Sequence, residues 1–141
     1  MNKDKFYNNG FIIVEVLLAI SILAMFFVAF IGAIIYNRQI YKNASNRQSA
    51  ILLAEEGIEA VRNIRDGDFD SLFNGSYELS DEGGKWSLDT NLDKPGNFFT
   101  RRIVISSIGF NKKQILSSVS WNEYGHLKSV SLTSYLTNWK E

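Results

Sequence analysis

The chain has 141 residues, and its 15 basic and 15 acidic side chains give a formal net charge of zero. Apart from one long apolar run, basic and acidic residues are mixed along the sequence, with no block of like charge. The composition therefore gives little support for nucleic-acid binding through a basic surface. Because the chain has no cysteine, it can form neither a disulfide nor a thiolate metal site.

The sequence offers no candidate catalytic centre. Its one histidine, His126, stands next to Gly125, and we expect a solvent-facing turn residue rather than a metal ligand or a general base. There are no clustered carboxylates, no nucleophile motif and no phosphate-binding loop. We therefore expect neither an enzyme nor a bound cofactor or metal. A small membrane-bound enzyme would need measurable turnover to become a serious alternative.

Residues 1–10 form a short polar leader that ends at Gly10. The positive-inside tendency of its lysines, Lys3 and Lys5, places the leader in the cytoplasm and the chain after Tyr36 outside. We therefore expect a single pass through the cytoplasmic membrane.

An unbroken apolar run of 26 residues follows the leader, from Phe11 to Tyr36. As a helix it would be roughly 39 Å long, more than the ~30 Å hydrocarbon layer of a membrane. It is too long for a conventional secretory signal, whose apolar stretch has about 7 to 15 residues. The run contains one carboxylate, Glu15. Since an ionisable group costs about 2.5 to 3.5 kcal/mol at the centre of such a helix, Glu15 needs a partner.

The start of the apolar run resembles the type III signal of prepilins of the type IV pilin and pseudopilin family. Both have a short polar leader, a glycine, a phenylalanine, three aliphatic residues, a glutamate and then an apolar helix. The residues that carry the resemblance are Gly10, Phe11, Ile12, Ile13, Val14 and Glu15. The resemblance implies that a membrane aspartyl peptidase cuts between Gly10 and Phe11 and methylates the new amine of Phe11.

Cleavage after Gly10 would create a cationic amine at Phe11, four residues before the Glu15 carboxylate. Each charge would make burial of the other tolerable, and removing one partner of a buried pair typically costs about 3 to 5 kcal/mol. The pair can form within one chain or between neighbouring helices; the resemblance implies the second, with Glu15 acting in assembly. Alternatively, Glu15 snorkels to the headgroups from the cytoplasmic end of an ordinary signal anchor.

Residues 37–66 are predicted to continue the same helix in amphipathic form and to end before the stop signal Gly67. The apolar side consists of Ile51, Leu53, Ala54, Gly57, Ile58, Ala60, Val61 and Ile64. The charged side, expected to be a solvated face, consists of Glu55, Glu56, Glu59, Arg62 and Asp66. Glu59 with Arg62, and Arg62 with Asp66, have the spacing of helical ion pairs.

Residues 67–141 are predicted to form a β-rich head. Turn signals at 74–75, 81–84 and 93–96 separate strand candidates. These candidates are 85–89, 98–106, 114–121 and 127–136, the last two joined by 122–126. In the last candidate Val130 and Leu132 face one side and Ser129 and Ser131 the other, which predicts an antiparallel sheet packed on the helix. The predicted fold class is therefore α+β.

The head must rely on packing, because it has no disulfide. Its tryptophans, Trp86, Trp121 and Trp139, are expected to contribute large apolar surfaces to the core, with an adhesive surface as the alternative. The sequences 53–65 and 130–139 are similar to the corresponding parts of minor pilins. Major pilins often have a helix-breaking proline in the apolar half, where this chain has only Gly32, so local melting there is left open.

The sequence thus predicts a structural subunit, a minor pilin or pseudopilin of a type IV pilus-like filament. Its expected partners are the prepilin peptidase and methylase, other pilin subunits, the assembly machinery and the cytoplasmic membrane. After extraction the subunit would lie in a surface or periplasmic filament that serves a pilus, competence or type II secretion machine. The alternative is a signal-anchored extracytoplasmic binding domain that never polymerises.

Overall fold

The computed structural model of the protein describes residues 8–90 and 94–139, without the side chains of residues 8–11 and 82. The predicted leader therefore lies outside the described residues over positions 1–7. One helix precedes a set of strands, which confirms the predicted α+β class. The elements are α1 (Asn8–Gly67), β1 (Gly75–Glu82), β2 (Lys85–Asp89), a 3-10 turn (Pro95–Asn97), β3 (Phe99–Gly109), β4 (Lys112–Glu123) and β5 (His126–Thr137).

The chain divides into two compact units, Met1–Ala44 and Ser45–Glu141. In the first unit, every α1 side chain described is exposed, so this part of the helix has no core of its own. The helix runs through Gly32 without a break and ends at the predicted stop signal, Gly67.

The second unit contains a five-stranded sheet in the order β2-β1-β3-β4-β5, with every neighbouring pair antiparallel. The four predicted strands are confirmed as β2 to β5. Strand β1 was not predicted, because only a few residues lie between the turn signals at 74–75 and 81–84. The alternation of Tyr77 and Leu79 is too short there to indicate a strand. Both residues face the core.

Two tight turns fix the register of the hairpins. Gly83 and Gly84, between β1 and β2, have φ angles of 66° and 84°. Tyr124 and Gly125, between β4 and β5, have φ angles of 51° and 81°. Two consecutive residues with positive φ give a turn whose twist matches that of the flanking strands. The Oδ1 atom of Asn122 also accepts a hydrogen bond from the Gly125 N–H at 3.0 Å.

The amphipathic part of α1 covers one face of the sheet, as its sequence pattern predicts. One core cluster consists of Ala60, Val61, Leu72, Leu79, Ile103, Ile105, Ile115 and Leu136. A second consists of Ala50, Ala54, Val119 and Trp121, with Val130 and Leu132 packed against it. The predicted pair Glu59–Arg62 is present at 2.6 Å, while Asp66 pairs with Arg65 at 2.7 Å.

The three tryptophans differ in their surroundings. Trp121 is 5% exposed and Trp86 packs at the edge of the first cluster, as expected. Trp139 is 62% exposed, so its predicted place in the core is wrong. Its indole N–H instead donates to the Asp66 carboxylate at 3.3 Å. His126, the first residue of β5, is exposed as predicted.

The helix lies close to the sheet at Gly57. A Cβ atom there would lie 2.6 Å from Ser117 Oγ, 3.0 Å from Ile103 Cδ1 and 3.2 Å from Arg101 Cδ. Arg101 is almost fully buried; its guanidinium lies 3.4 Å from the Glu56 carboxylate and donates to the Leu53 carbonyl at 3.2 Å. The missing side chain at position 57 therefore leaves room for a buried cation beneath the helix.

We predict that Gly57→Ala destabilises the head. Alanine gains about 1 kcal/mol of helix propensity, but overpacking typically costs about 1 to 3 kcal/mol, and the three side chains that it would meet are themselves buried, which limits their relaxation. Urea unfolding of the full chain in detergent, followed by tryptophan fluorescence, reports on the head because all three tryptophans lie in it. Gly67→Ala, where nothing lies within 4 Å, is the matched control. A Gly57→Ala protein as stable as the control would contradict the close approach.

The variant Glu56→Gln removes the carboxylate that faces the buried Arg101 guanidinium. We expect it to lower the free energy of unfolding by about 1 to 2 kcal/mol. This is less than the loss of a fully buried partner, because the Glu56 side chain is 47% exposed and solvent screens the pair. The neighbouring variant Glu55→Gln should change the free energy of unfolding by less than about 0.5 kcal/mol. Equal stabilities for the two variants in the same urea titration would refute a stabilising role for the Glu56–Arg101 pair.

Candidate assembly site

The residues singled out by the sequence all lie near the start of α1. The helix begins at Asn8, three residues before the predicted start at Phe11, so the peptide bond between Gly10 and Phe11 is within its first turns. Phe11 and Glu15 are four residues apart, which places them on one face of the helix with about 6 Å of rise between them. The Phe11 side chain itself lies outside the described part.

Glu15 is an exposed carboxylate with apolar neighbours. Within residues 12–90 and 94–139 it makes no hydrogen bond or ion pair. Ser21, by contrast, donates its hydroxyl proton to the Leu17 carbonyl at 2.7 Å and so satisfies itself within the helix. The carboxylate is therefore the polar group of this segment that most needs a partner from elsewhere.

No cation farther along the first unit can meet Glu15. Arg38 is the first basic residue after it, and 23 residues of helix separate the two by about 35 Å. Within the first unit, a cationic partner for Glu15 can therefore come only from the chain before residue 12. The helix geometry thus agrees with the need for a partner derived from the sequence.

The surface around the carboxylate is apolar, and no described residue of the first unit covers it. The side chains between Ile12 and Tyr36 are exposed, with Met25 and Val28 exposed by 74% and 73%. Phenylalanines cluster in the middle of the segment at Phe26, Phe27 and Phe30. By length and composition this part of α1 is able to cross a membrane, so it is suited to serve as a membrane anchor.

A second surface feature, in the head, has no local sequence signal. A groove of about 530 Å³ separates the charged side of α1 from strand β5. Its lining consists of Leu52, Glu55, Glu56, Ile58, Glu59, Arg62, Leu132, Thr133 and Ser134. The sequence identified the carboxylates as a solvated face but could not show that a sheet edge lies beside them. Among the residues described, no cluster of three or more His, Asp or Glu side chains could hold a metal ion.

No protein-family model, curated protein or solved structure matches the chain. The long apolar N-terminal helix and the antiparallel β-sheet head are the elements of a type IV pilin-like architecture.

Proposed function

We propose that the protein is a structural subunit of a type IV pilus-like filament, a minor pilin or pseudopilin. In this proposal prepilin peptidase cuts the precursor after Gly10 and the new amine of Phe11 is methylated. The mature helix is stored in the cytoplasmic membrane and then extracted into the filament. There the Glu15 carboxylate pairs with the N-terminal amine of a neighbouring subunit.

The observation that carries the proposal is Glu15 without a partner within the described residues of an apolar helix. A new amine at Phe11 would lie within one helical turn of this carboxylate, so every subunit would bring one cation and one anion to the same level of the bundle. Pairing between subunits neutralises both charges in an apolar medium. A displaced subunit would strand two charges, so the pair sets the register of assembly.

The exposed apolar side chains of the first unit supply the second requirement for assembly. Helices that leave lipid can keep these side chains out of water only by packing against similar helices. The neighbouring copies of the same subunit, or related subunits, offer such surfaces. The β-sheet head, which has its own core, would remain folded outside the bundle.

The second candidate is a signal-anchored binding domain that does not polymerise. The groove beside β5 favours it, because a soluble head with a binding groove needs no filament to act. The two candidates differ at the N-terminus: a permanent anchor keeps its leader or loses it elsewhere, and it requires no modified Phe11.

Mass spectrometry of the protein isolated from its own cells tests the processing step. We expect the mature chain to begin at Phe11 with one added methyl group on its amine. The variant Gly10→Val should accumulate as unprocessed precursor, because a bulkier side chain would occupy the position before the cleaved bond. An intact leader in the wild-type protein would favour the permanent anchor and refute the proposed processing.

Replacement of the carboxylate tests the pairing step separately. Glu15→Val should still insert into the membrane and be cleaved after Gly10, but its incorporation into sheared filaments should fall at least about tenfold, since it strands the amine of a neighbour. Glu15→Asp, which keeps the charge on a shorter side chain, is the control and should retain partial incorporation. Filaments that accept Glu15→Val as readily as wild type would rule out the pairing.

A further inference from the structure

Strand β5 is a long sheet edge that pairs on one side only. In the sheet formed by the described residues, β5 is the last strand, and its twelve residues pair with β4 from His126 to Thr137 without a register shift. Every second residue of an antiparallel edge strand directs its N–H and C=O groups away from its partner. The opposite edge, β2, has only five residues.

From Val130 to Thr137 this edge lacks the usual protection against further pairing. Natural edge strands are kept apart by short length, prolines, bulges or charged side chains that point inward. Strand β5 contains no proline; its inward positions Val130, Leu132 and Ser134 are neutral, and its inward charge, Lys128, lies near the start of the strand opposite Trp121. The backbone of β5 is therefore able to accept another strand.

The groove beside this edge has an excess of negative charge. Glu55, Glu56 and Glu59 line it together with a single cation, Arg62. Arg62 is bound to Glu59 at 2.6 Å, and Glu56 faces the buried Arg101 at 3.4 Å. Glu55 is exposed and makes no ion pair with any residue in the described ranges. Glu55 is thus the carboxylate of the groove without a compensating cation among the residues described, and it favours a ligand that carries positive charge.

We propose that β5 and the groove bind an extended segment of another protein, which adds to β5 as a sixth strand and carries lysine or arginine toward the helix. An added strand lies about 4.8 Å from β5, and every second side chain points to the face covered by α1. A cationic side chain there would meet Glu55, while an apolar one would contact Leu52 or Leu132. Backbone pairing would supply affinity and the charges would select the ligand.

The charges argue against a second copy as the occupant. Two copies joined through their β5 edges would bring two sets of Glu55, Glu56 and Glu59 to one face of the joined sheet, and the one inward lysine of each β5, Lys128, offsets this repulsion only in part. Strand β2 of another copy would present Trp86 and Leu88 on the covered face and no cation. A basic segment of a different protein fits the groove better.

A designed peptide tests this proposal on the full chain in an uncharged detergent. The probe is an eight-residue fluorescent peptide of alternating lysine and valine, measured by anisotropy against empty micelles. We expect saturable binding, and about three- to tenfold weaker affinity for the double variant Glu55→Gln, Glu59→Gln, since exposed ion pairs each contribute about 0.2 to 1 kcal/mol. Asp70→Asn, which removes a carboxylate outside the groove, should bind as wild type does.

Backbone methylation of the peptide separates strand addition from simple charge attraction. One version of the peptide carries methyl groups on the backbone nitrogens of the valines, and another carries them on the backbone nitrogens of the lysines. Both keep the same charge, and each loses one set of backbone N–H donors. One of the two should bind at least about tenfold more weakly, because only one edge of the added strand faces β5. Hydrogen exchange of the β5 amides should also slow when the unmodified peptide binds.

Three results would overturn the proposal. They are equal affinity for both methylated peptides, unchanged affinity of the double variant, and self-association of the full chain through β5 that excludes the peptide. The unprocessed chain carries the same groove, so this experiment succeeds or fails independently of cleavage after Gly10.

Discussion

The apolar part of the N-terminal helix has one carboxylate, Glu15, whose burial requires a cationic partner. Glu15 lies in an exposed apolar helix, and no cation among the described residues of its unit can reach it. In water the carboxylate is hydrated but its apolar neighbours are exposed; in lipid the apolar side chains are accommodated but the carboxylate loses its hydration. A surface that satisfies both must be apolar and must bring a positive charge to one defined level. Under the proposed processing after Gly10, the N-terminal end of a neighbouring helix would have both properties.

In the second unit the amphipathic part of α1 packs closely against the sheet. At Gly57 the helix lies close enough to the sheet to contact the side chains of Ser117 and Ile103. The same contact covers Arg101, whose charge is held by a half-exposed carboxylate and a helix carbonyl. Ser117 Oγ is buried there without a hydrogen-bond partner within the described chain, a cost that the surrounding apolar contacts must offset. One helix therefore serves as an uncovered apolar surface in one unit and as a close-packed lid in the other.

Much of this architecture could be predicted from local sequence. The 3.6-residue period of α1, its stop at Gly67 and the period of two in β5 each depend on neighbouring residues, and all three were predicted correctly. Features that depend on tertiary contacts were not predicted: the burial of Arg101, the exposure of Trp139 and the groove beside β5. At the N-terminal site, the sequence identified Glu15 through its contrast with its neighbours. The partner it needs belongs to no described residue of the single chain, so folding alone cannot reveal it.

Hydrogen bonds hold the residues that follow β5 against the rest of the head. The Asn138 N–H donates to the Asn111 carbonyl at 3.1 Å, and the Trp139 indole reaches the helix terminus at Asp66. A fluorophore or epitope fused after position 139 would compete with these contacts. The hairpin bend at Gly83 and Gly84 has open space around both residues. Labels for following this protein in living cells are therefore better inserted in that bend than appended to the carboxyl terminus.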